Sequence, residues 1–367
     1  MRQPLLKPRF LLLLPFLAAC APAQDTFSGV QRIVAIGDIH GDYDRLVDLL
    51  RTAKLIDKQN AWAGGATHLV LDGDMVDRGP ASRKVLDLVM ALEAQAPSAG
   101  GAVHPLIGNH EAMDIIGDLR YVSKEDWESY RSPGSQKLLE AAAKSILDAL
   151  TERGTPPPDA EAFLKDFLSQ HPLGWVEQRL LFGPNGKYGK WLRQQNAIIK
   201  IDDSIFMHAG ISPKYADSTR DEINRRVREE LDDPAKRADG MITTDEGPLW
   251  YRDLVTAPED QAGLAAHVDQ VLKTQQAQHM IVGHSVGPAI LPRFGGKVIA
   301  IDVGLSVYFK GPPEFLVIEG PRFFVICRSH RLDFPANGRG VPQYLRAVAA
   351  IDPGNSALQQ LLQLNTR

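Results

Sequence analysis

The stretch "GDIHGDYDRL", Gly37 to Leu46, follows directly on the apolar run "RIVAI". Asp38, His40 and Asp42 crowd one glycine-rich turn between a strand-like run and a helical pattern. Glycines at such a junction would suit a loop that cradles phosphate with backbone N–H groups. Carboxylate beside imidazole would suit a first-row divalent metal instead. A third reading needs no ligand: a tight turn in which Asp42 caps the helix that follows. What the rest of the chain brings to the same place decides among them.

The pattern recurs. "THLVL" runs into "LDGDMVDRGP", which carries Asp72, Asp74, Asp77 and Arg78. "AVHPLI" runs into "GNHEAMD", with Asn109, His110 and Glu111. "FMHAGISP" supplies His208 and "VGHSVG" supplies His284. Each polar cluster ends an apolar run, usually with a glycine beside it. Any one of them alone could be an ordinary turn or a structural histidine; all five, each after a strand-like run, are very hard to obtain by chance. "DGDMVDRG" fails as a calcium loop, because Asp77 and Arg83 stand where an EF-hand needs its glycine and its glutamate. His68, His104, His171, His267, His279 and His330 have no such context and read as structural.

Helical patterns, "YDRLVDLLRTAKLI" and "ASRKVLDLVMALEAQ", separate the first three apolar runs. Strand–helix–strand alternation means parallel strands, whose carboxyl ends open on one edge of the sheet. The later runs, from "AIIKI" to "RFFVIC", lie close together around turns such as Asp202–Asp203 and Gly295–Gly296 and read as antiparallel hairpins. The expected fold is α/β: two mixed sheets packed as a sandwich and flanked by helices, in one domain over residues 30–330. Residues 115–196 turn helical and irregular and are expected to form an inserted cap. Its aromatic residues, among them Trp127, Tyr130, Tyr188 and Trp191, are expected to shape substrate choice more than rate, the alternative being that they only pack the cap. Residues 331–367 read as a C-terminal extension that ends in a helix.

Carboxylate, carboxamide and imidazole, with no cysteine among them, suit borderline divalent ions and argue against a structural zinc site. Six potential ligands exceed what one catalytic ion needs if it keeps positions open for water. Two ions about 3.5–4 Å apart, sharing a bridging carboxylate, would use them all and clamp the attacking and leaving oxygens of an in-line displacement. The opening turn therefore reads as a metal site, with Gly37 and Gly41 letting the backbone turn tightly around Asp38 and His40.

"GDIHG", "GDMVDRG", "GNHE", "HAG" and "GH", in that order, resemble the calcineurin-like metallophosphoesterases, in their phosphoprotein phosphatase branch. The resemblance runs from about Arg32 to Cys327. "GNHEAMDIIGDLRYV", "GPLWYRD", "VGHSV" and "IDVGLS" are similar to the bacterial-type Shewanella-like phosphatases. The family pattern implies that Asp38 and His40 bind the first metal, that Asp74 bridges, and that Asn109, His208 and His284 bind the second. It implies that His110 is the general acid, oriented by Asp77, and that Arg78 and Arg252 grip the phosphoryl oxygens. The implied cofactors are two divalent ions of the Mn2+, Fe2+/Fe3+ or Zn2+ type. The chemistry agrees: a guanidinium fork matches phosphate geometry, and an imidazolium paired with a carboxylate can protonate a leaving oxygen.

The resemblance implies a phosphatase for phosphoproteins, with phosphotyrosine or aryl phosphates preferred. Two departures bear on it. Ile107 and Gly108 stand where eukaryotic members carry an arginine before "GNHE", so Arg120 or Arg252 would have to supply that phosphate contact. "HAG" also occurs in symmetrical diadenosine-tetraphosphate hydrolases, which keeps a dinucleoside polyphosphate or other small phosphate ester in view. A non-enzymatic envelope protein with a vestigial site is the third class, and the intact metal and acid residues argue against it.

Composition sets the surroundings. The chain has 367 residues, 44% hydrophobic and 23% charged, as a globular protein does. "MRQPLLKPR" is basic, the apolar stretch from Phe10 to Ala19 follows, and "LAAC" resembles a bacterial lipobox ending at Cys20. Together these read as a secretory signal within residues 1–23, processed at Cys20 or after Ala23, too short to span a membrane. An exported periplasmic or cell-envelope lipoprotein is expected, held at the membrane only by a lipid on Cys20. Processing removes Arg2, Lys7 and Arg9 and no acid, which takes the formal charge from −4 to −7. That balance argues against non-specific nucleic-acid binding. Cys327 is then left without a disulfide partner and reads as a core residue.

Overall fold

A computed structural model describes residues 24–364; the processing signal expected within residues 1–23, with Cys20, lies outside them. Twelve strands occur among the described residues: β1 Thr26–Phe27, β2 Arg32–Ile36, β3 His68–Leu71, β4 Ala102–Pro105, β5 Ile198–Ile201, β6 Ser204–Met207, β7 His279–Val282, β8 Leu291–Arg293, β9 Val298–Ala300, β10 Glu314–Glu319, β11 Arg322–Cys327 and β12 His330–Asp333. They form two sheets of six, ordered β1-β5-β6-β7-β9-β8 and β12-β11-β10-β2-β3-β4. Both are mixed, and helices flank them, as expected.

The parallel portions position the chemistry. In one sheet β2, β3 and β4 run parallel; in the other β6, β7 and β9 do. Val34, Ala35, Ile36, Leu69, Val70 and Leu71 are completely buried, the burial on both faces that near-continuous apolar parallel strands require. The helix after β2, α1 (Tyr43–Thr52), places Leu46, Val47, Leu49 and Leu50 on one buried stripe. Asp42 caps it: its Oδ1 accepts from Arg45 N at 3.0 Å, an interaction worth about 1 kcal/mol. The capping reading of Asp42 and the metal reading of Asp38 and His40 are thus compatible. Of the later runs, β5 and β6 form an antiparallel hairpin across Asp202–Asp203 and β8 and β9 another across Gly295–Gly296, whereas β6, β7 and β9, also expected to be antiparallel, pair in parallel.

Two expectations need correction. The residues read as a C-terminal extension are part of the fold. β12 pairs with β11, and the helix Val341–Ile351 buries Tyr344, Leu345 and Val348 in the main core. Tyr344 Oη donates to the Ile290 carbonyl at 3.0 Å. The polar strand "HRLD" concealed this, since it carries little of the apolar alternation that marks a strand. The cap consists of five helices between Lys124 and Leu192. Tyr130, Tyr188 and Trp191 are buried, with Tyr188 Oη donating to Asp87 and Trp191 Nε1 to Glu93. These rings dock the cap onto the helix Ser82–Gln95 and do not line the crevice. The cap has a small core of its own in Leu139, Ala143 and Phe167. Cys327 is buried, as expected.

His104 and His68 meet at 3.0 Å between ring nitrogens, with the Phe27 ring tilted by 54° against His104 at a centroid distance of 4.5 Å. Burial, and then His68, lower the His104 pKa from 6.5 to about 3. Neutral His104 in the fold therefore competes with protonated His104 in the unfolded chain. Its contribution is complete above pH 6.5 and is lost as pH falls toward 3. In a pH series of chemical denaturation, His104→Phe is expected to flatten the acid-side fall in stability by up to about 1.4 kcal/mol per pH unit. An unchanged slope would show that His104 is not held neutral.

Candidate metal centre and active site

Six loops leave the carboxyl ends of β2, β3, β4, β6, β7 and β9. Asp38 and His40 follow β2, Asp72 to Arg78 follow β3, and Asn109 and His110 follow β4. His208 follows β6, His284 follows β7, and Asp302 follows β9. The sandwich brings both sets together, three from each sheet. Each of these residues except Arg78 lies within a few residues of a strand end and is almost fully buried. His40, Asp74, Asp77, Arg78 and His284 adopt positive φ between 46° and 68°. Such backbone costs about 1–3 kcal/mol per non-glycine residue and persists where surrounding structure imposes it.

The donor atoms converge as two groups. One nitrogen or oxygen from each of His40, Asp74 and His110 lie within 4.8 Å of one another, and so do those of Asp74, His208 and His284. Asp74 is common to both. Asp38 Oδ2 lies 3.9 Å from His40 Nε2, beside the first group. Asn109 Oδ1 lies 2.9 Å from His208 Nε2, inside the second. The structure therefore gathers all six sequence-expected ligands, with His110 close to the first group as well. Glycine makes the approach possible. A Cβ on Gly108 would lie 2.3 Å from Asp74 Oδ1, and one on Gly283 would lie 2.5 Å from Asp38 Oδ1.

The hydrogen bonds suit metal ligation. His40 Nδ1 and His208 Nδ1 donate to the carbonyls of Val76 and Asp72 at 3.2 and 2.8 Å. That leaves each Nε2 lone pair for a ligand and fixes the ring, as backbone carbonyls do behind metal-binding imidazoles. His208 Nε2 then faces His284 Nδ1 at 3.1 Å and Asp74 Oδ1 at 3.3 Å. Acceptors packed so closely repel unless a cation or proton lies among them. Burial alone would lower the His208 pKa, but Asp74 and Asp38 outweigh it and raise it to about 10. Asp38 and Asp72 are pushed well above the ordinary carboxylate range, chiefly by burial. Both Asp72 carboxylate oxygens, Asp302 Oδ2 and His284 Nε2 are buried without a hydrogen-bond partner among the described residues. Buried orphans of this kind are costly, and hard oxygen and imidazole donors fit a pair of divalent first-row cations.

Beside this cluster His110 Nδ1 lies 2.7 Å from Asp77 Oδ2. Its Nε2 faces the crevice, 3.8 Å from Asp74 Oδ2 and 3.3 Å from Arg78 Nη2. Burial lowers the imidazole pKa, but Asp74 and the Asp77 hydrogen bond outweigh it, so the imidazolium is favoured. Arg252 Nη1 donates to the His284 carbonyl at 2.9 Å, at the edge of the same loop.

The profile of the calcineurin-like phosphoesterases matches residues 31–288. The chain belongs to this family. This calcineurin-like phosphoesterase is a hydrolase with phosphatase relatives. Over 301 residues it is 29% identical to Shewanella-like protein phosphatase 2 of Arabidopsis thaliana, covering 81% of this chain and 77% of that one. It is 28% identical over 195 residues to the symmetrical bis(5'-nucleosyl)-tetraphosphatase of Escherichia coli, covering 52% of this chain and 48% of that protein. Among solved structures, the cold-active protein-tyrosine phosphatase of a psychrophilic Shewanella species superposes with a TM-score of 0.64 at 30% identity, covering 85% and 82% of the two chains.

In the phosphoesterase three further carboxylates support the site. Asp72, after β3, and Asp302, after β9, bring orphan oxygens to the cluster from the two sheets. Glu111 accepts from the backbone N–H groups of Asp74, Met75 and Gly108 at 2.7–2.9 Å, which locks the β3 and β4 loops together. Asp302 carries the same signal as the other five clusters, since it ends the run "KVIAID". Its lack of a neighbouring histidine hid it. Arg120, a candidate for the missing phosphate contact, is turned to solvent and paired with Asp118 at 2.6 Å, its side chain 66% exposed.

Proposed function

We propose that this phosphoesterase hydrolyses phosphate monoesters on proteins, with phosphotyrosine and other aryl phosphates preferred. The observation that carries the reading is the buried His110–Asp77 pair set against Asp74, the carboxylate common to both donor groups. Asp38, His40 and Asp74 would hold one divalent cation, and Asp74, Asn109, His208 and His284 the other. Such a pair supplies Lewis acidity toward the phosphoryl oxygens and lowers the pKa of the attacking water. The chain's own residues do the rest. Arg78 and Arg252 grip the phosphoryl oxygens from opposite loops. His110, charged and held by Asp77, delivers its Nε2 proton to the leaving oxygen. Burial of the cluster keeps bulk water from screening these charges.

The similarity to proteins named as protein and tyrosine phosphatases, over most of both chains, supports a protein substrate. The tetraphosphatase similarity covers less than half of that relative. Beside Arg252 opens a groove of about 880 Å³, lined in part by Asp245, Glu246, Asp253, Trp250 and Tyr251. Its carboxylates would repel the remaining phosphates of a dinucleoside polyphosphate. The test is a substrate panel on protein stripped with EDTA and reloaded with Mn2+. Stripping is expected to abolish turnover and reloading to restore it. A phosphotyrosine peptide is expected to exceed the matched phosphoserine peptide in kcat/KM by at least about tenfold, a difference of about 1.4 kcal/mol. Fastest turnover of diadenosine tetraphosphate would overturn the protein reading.

We also infer export, with Cys20 as the lipid-bearing first residue. Mass spectrometry of the mature N-terminus is expected to find diacylglycerol on Cys20; a free Gln24 start would identify an ordinary signal peptide.

A further inference from the structure

We infer that Tyr121 and Tyr308 form a slot that receives the aryl ring of the substrate and sets selectivity for aryl over alkyl phosphates. The inference rests on the phosphomonoesterase reading above and names the residues that would produce its preference.

Three rings surround the guanidinium of Arg78. Its Cζ lies 4.7 Å from the ring centroid of Tyr121, 5.3 Å from that of Tyr308 and 5.0 Å from that of Phe309. Phe309 packs inward, 5.5 Å from the His40 ring. The two tyrosines do not. Tyr121 is 39% and Tyr308 57% exposed, although a large apolar ring left in water gains nothing for the fold. Neither hydroxyl is hydrogen-bonded among the described residues. Val307, also exposed, belongs to the Tyr308 loop, and exposed Val286 to the neighbouring loop that carries His284. Tyr121 reaches the crevice as well, its ring 5.0 Å from that of His110.

Both tyrosines sit on braced backbone. Arg78 N donates to the Tyr121 carbonyl at 2.9 Å, which ties the two segments together through their backbones. In the other loop Val307 N donates to Asp42 Oδ2 at 2.8 Å, and Gly311 N donates to the Gly304 carbonyl at 2.7 Å. The position decides the occupant. A phosphoryl group held by Arg78 and aimed at His110 Nε2 brings the carbon beyond its ester oxygen to the mouth between these loops. In an aryl ester that carbon belongs to a ring; in a serine phosphate it is a methylene. Only the ring can stack on the tyrosines, and aromatic pairs contribute about 0.5–1.5 kcal/mol each beyond area burial.

A simpler role would be to hold Arg78 in place through its cation–π contacts. That role would serve every phosphate ester equally, so the experiment compares two ligands that share a phosphoryl-like head. Binding of phenylphosphonate and methylphosphonate is measured by calorimetry on Mn2+-loaded wild type, Tyr121→Ala, Tyr308→Ala and Tyr308→Phe. In parallel, kcat/KM is measured on phosphotyrosine and phosphoserine peptides of the same sequence. Each alanine change is expected to weaken phenylphosphonate binding and phosphotyrosine kcat/KM by roughly 2- to 12-fold, the equivalent of one aromatic pair. Methylphosphonate binding is expected to stay within about twofold, and Tyr308→Phe to behave as wild type. Equal weakening of both phosphonates by the alanine changes would overturn the slot and assign the rings to Arg78 alone. Equal wild-type affinity for the two phosphonates would overturn it outright. A wild type that discriminates the phosphonates but hydrolyses no phosphomonoester would keep the slot and overturn the catalytic reading.

Discussion

Asp74→Asn is expected to remove both cations and at least about 10³-fold of kcat, which corresponds to the several kcal/mol that metal clamps supply to phosphoryl transfer. The substitution is nearly isosteric, and the backbone N–H of Asp74 still reaches Glu111 Oε2. What changes is the shared charge. Asp74 is the carboxylate common to both donor groups, and His208, His40 and His110 all face it within 3.8 Å. An amide there presents N–H groups to atoms that are themselves donors or cation ligands. The measurements are bound Mn2+ per chain after desalting, kcat on an aryl phosphate, and thermal stability with and without Mn2+. Wild type is expected to gain roughly 2.7 kcal/mol of stability at Mn2+ a hundredfold above Kd. Asp74→Asn is expected to gain none. Retention of two Mn2+ ions by the variant would refute the shared-ligand assignment. A lost melting shift with retained metal would refute the coupling of cation binding to the fold.

This centre was legible because its signal is local. A strand that ends in a polar residue beside a glycine can be read one stretch at a time, and parallel strands bring their ends together. The six residues expected as ligands, from Asp38 to His284, therefore do converge in space, and His110 meets Asp77 beside them. Asp302 escaped because it brings one carboxylate and no imidazole, although its strand ends like the others. The aromatic cap residues misled for a different reason. A tryptophan in an insertion beside a crevice can face either the crevice or the scaffold, and sequence spacing does not say which. Trp191 has the scaffold's Glu93 to bind, so it turned that way. The ring that does reach His110 is Tyr121, in the loop ahead of the cap helices. The final segment misled through weak periodicity: β12 is a polar edge strand, and only its pairing with β11 reveals it.

Five site residues in left-handed backbone add a physical link between fold and chemistry. A relaxed turn at each strand end would point these side chains elsewhere. The surrounding network holds them: His40 N donates to the Asp74 carbonyl at 2.8 Å, and Asp77 N to Ser82 Oγ at 3.0 Å. Ser82 N in turn donates to Asp126, at the foot of the cap. The orientation of the His110 partner is thus set by residues that touch no substrate.

His110→Asn is expected to separate proton delivery from cation binding. General acid catalysis is worth about 10²–10⁴-fold, and kcat on a phosphoserine peptide is expected to fall by that factor. The loss on p-nitrophenyl phosphate is expected to be smaller, because that leaving group departs without needing the proton. The imidazolium is favoured in the fold, with Asp74 and Asp77 outweighing burial. An acid must be charged to act, so activity is present below the raised His110 pKa and is lost as pH climbs through it. Wild type is expected to show this alkaline limb above 6.5, the ordinary histidine value, and His110→Asn to lack it. Asp77→Asn keeps the ring but removes its partner at 2.7 Å. The limb is then expected to move to lower pH, with the same leaving-group trend in weaker form. The competing role is ligation, since His110 Nε2 stands within 4.8 Å of the His40 and Asp74 donors. Its Nδ1 is already committed to Asp77, as a ligand histidine's outer nitrogen often is, so geometry alone admits both. Metal stoichiometry decides. Two Mn2+ ions per chain in His110→Asn, with kcat falling more steeply as the leaving group becomes more basic, is the result an acid gives. Loss of metal to the level of Asp74→Asn, with equal loss across leaving groups, would make His110 a ligand.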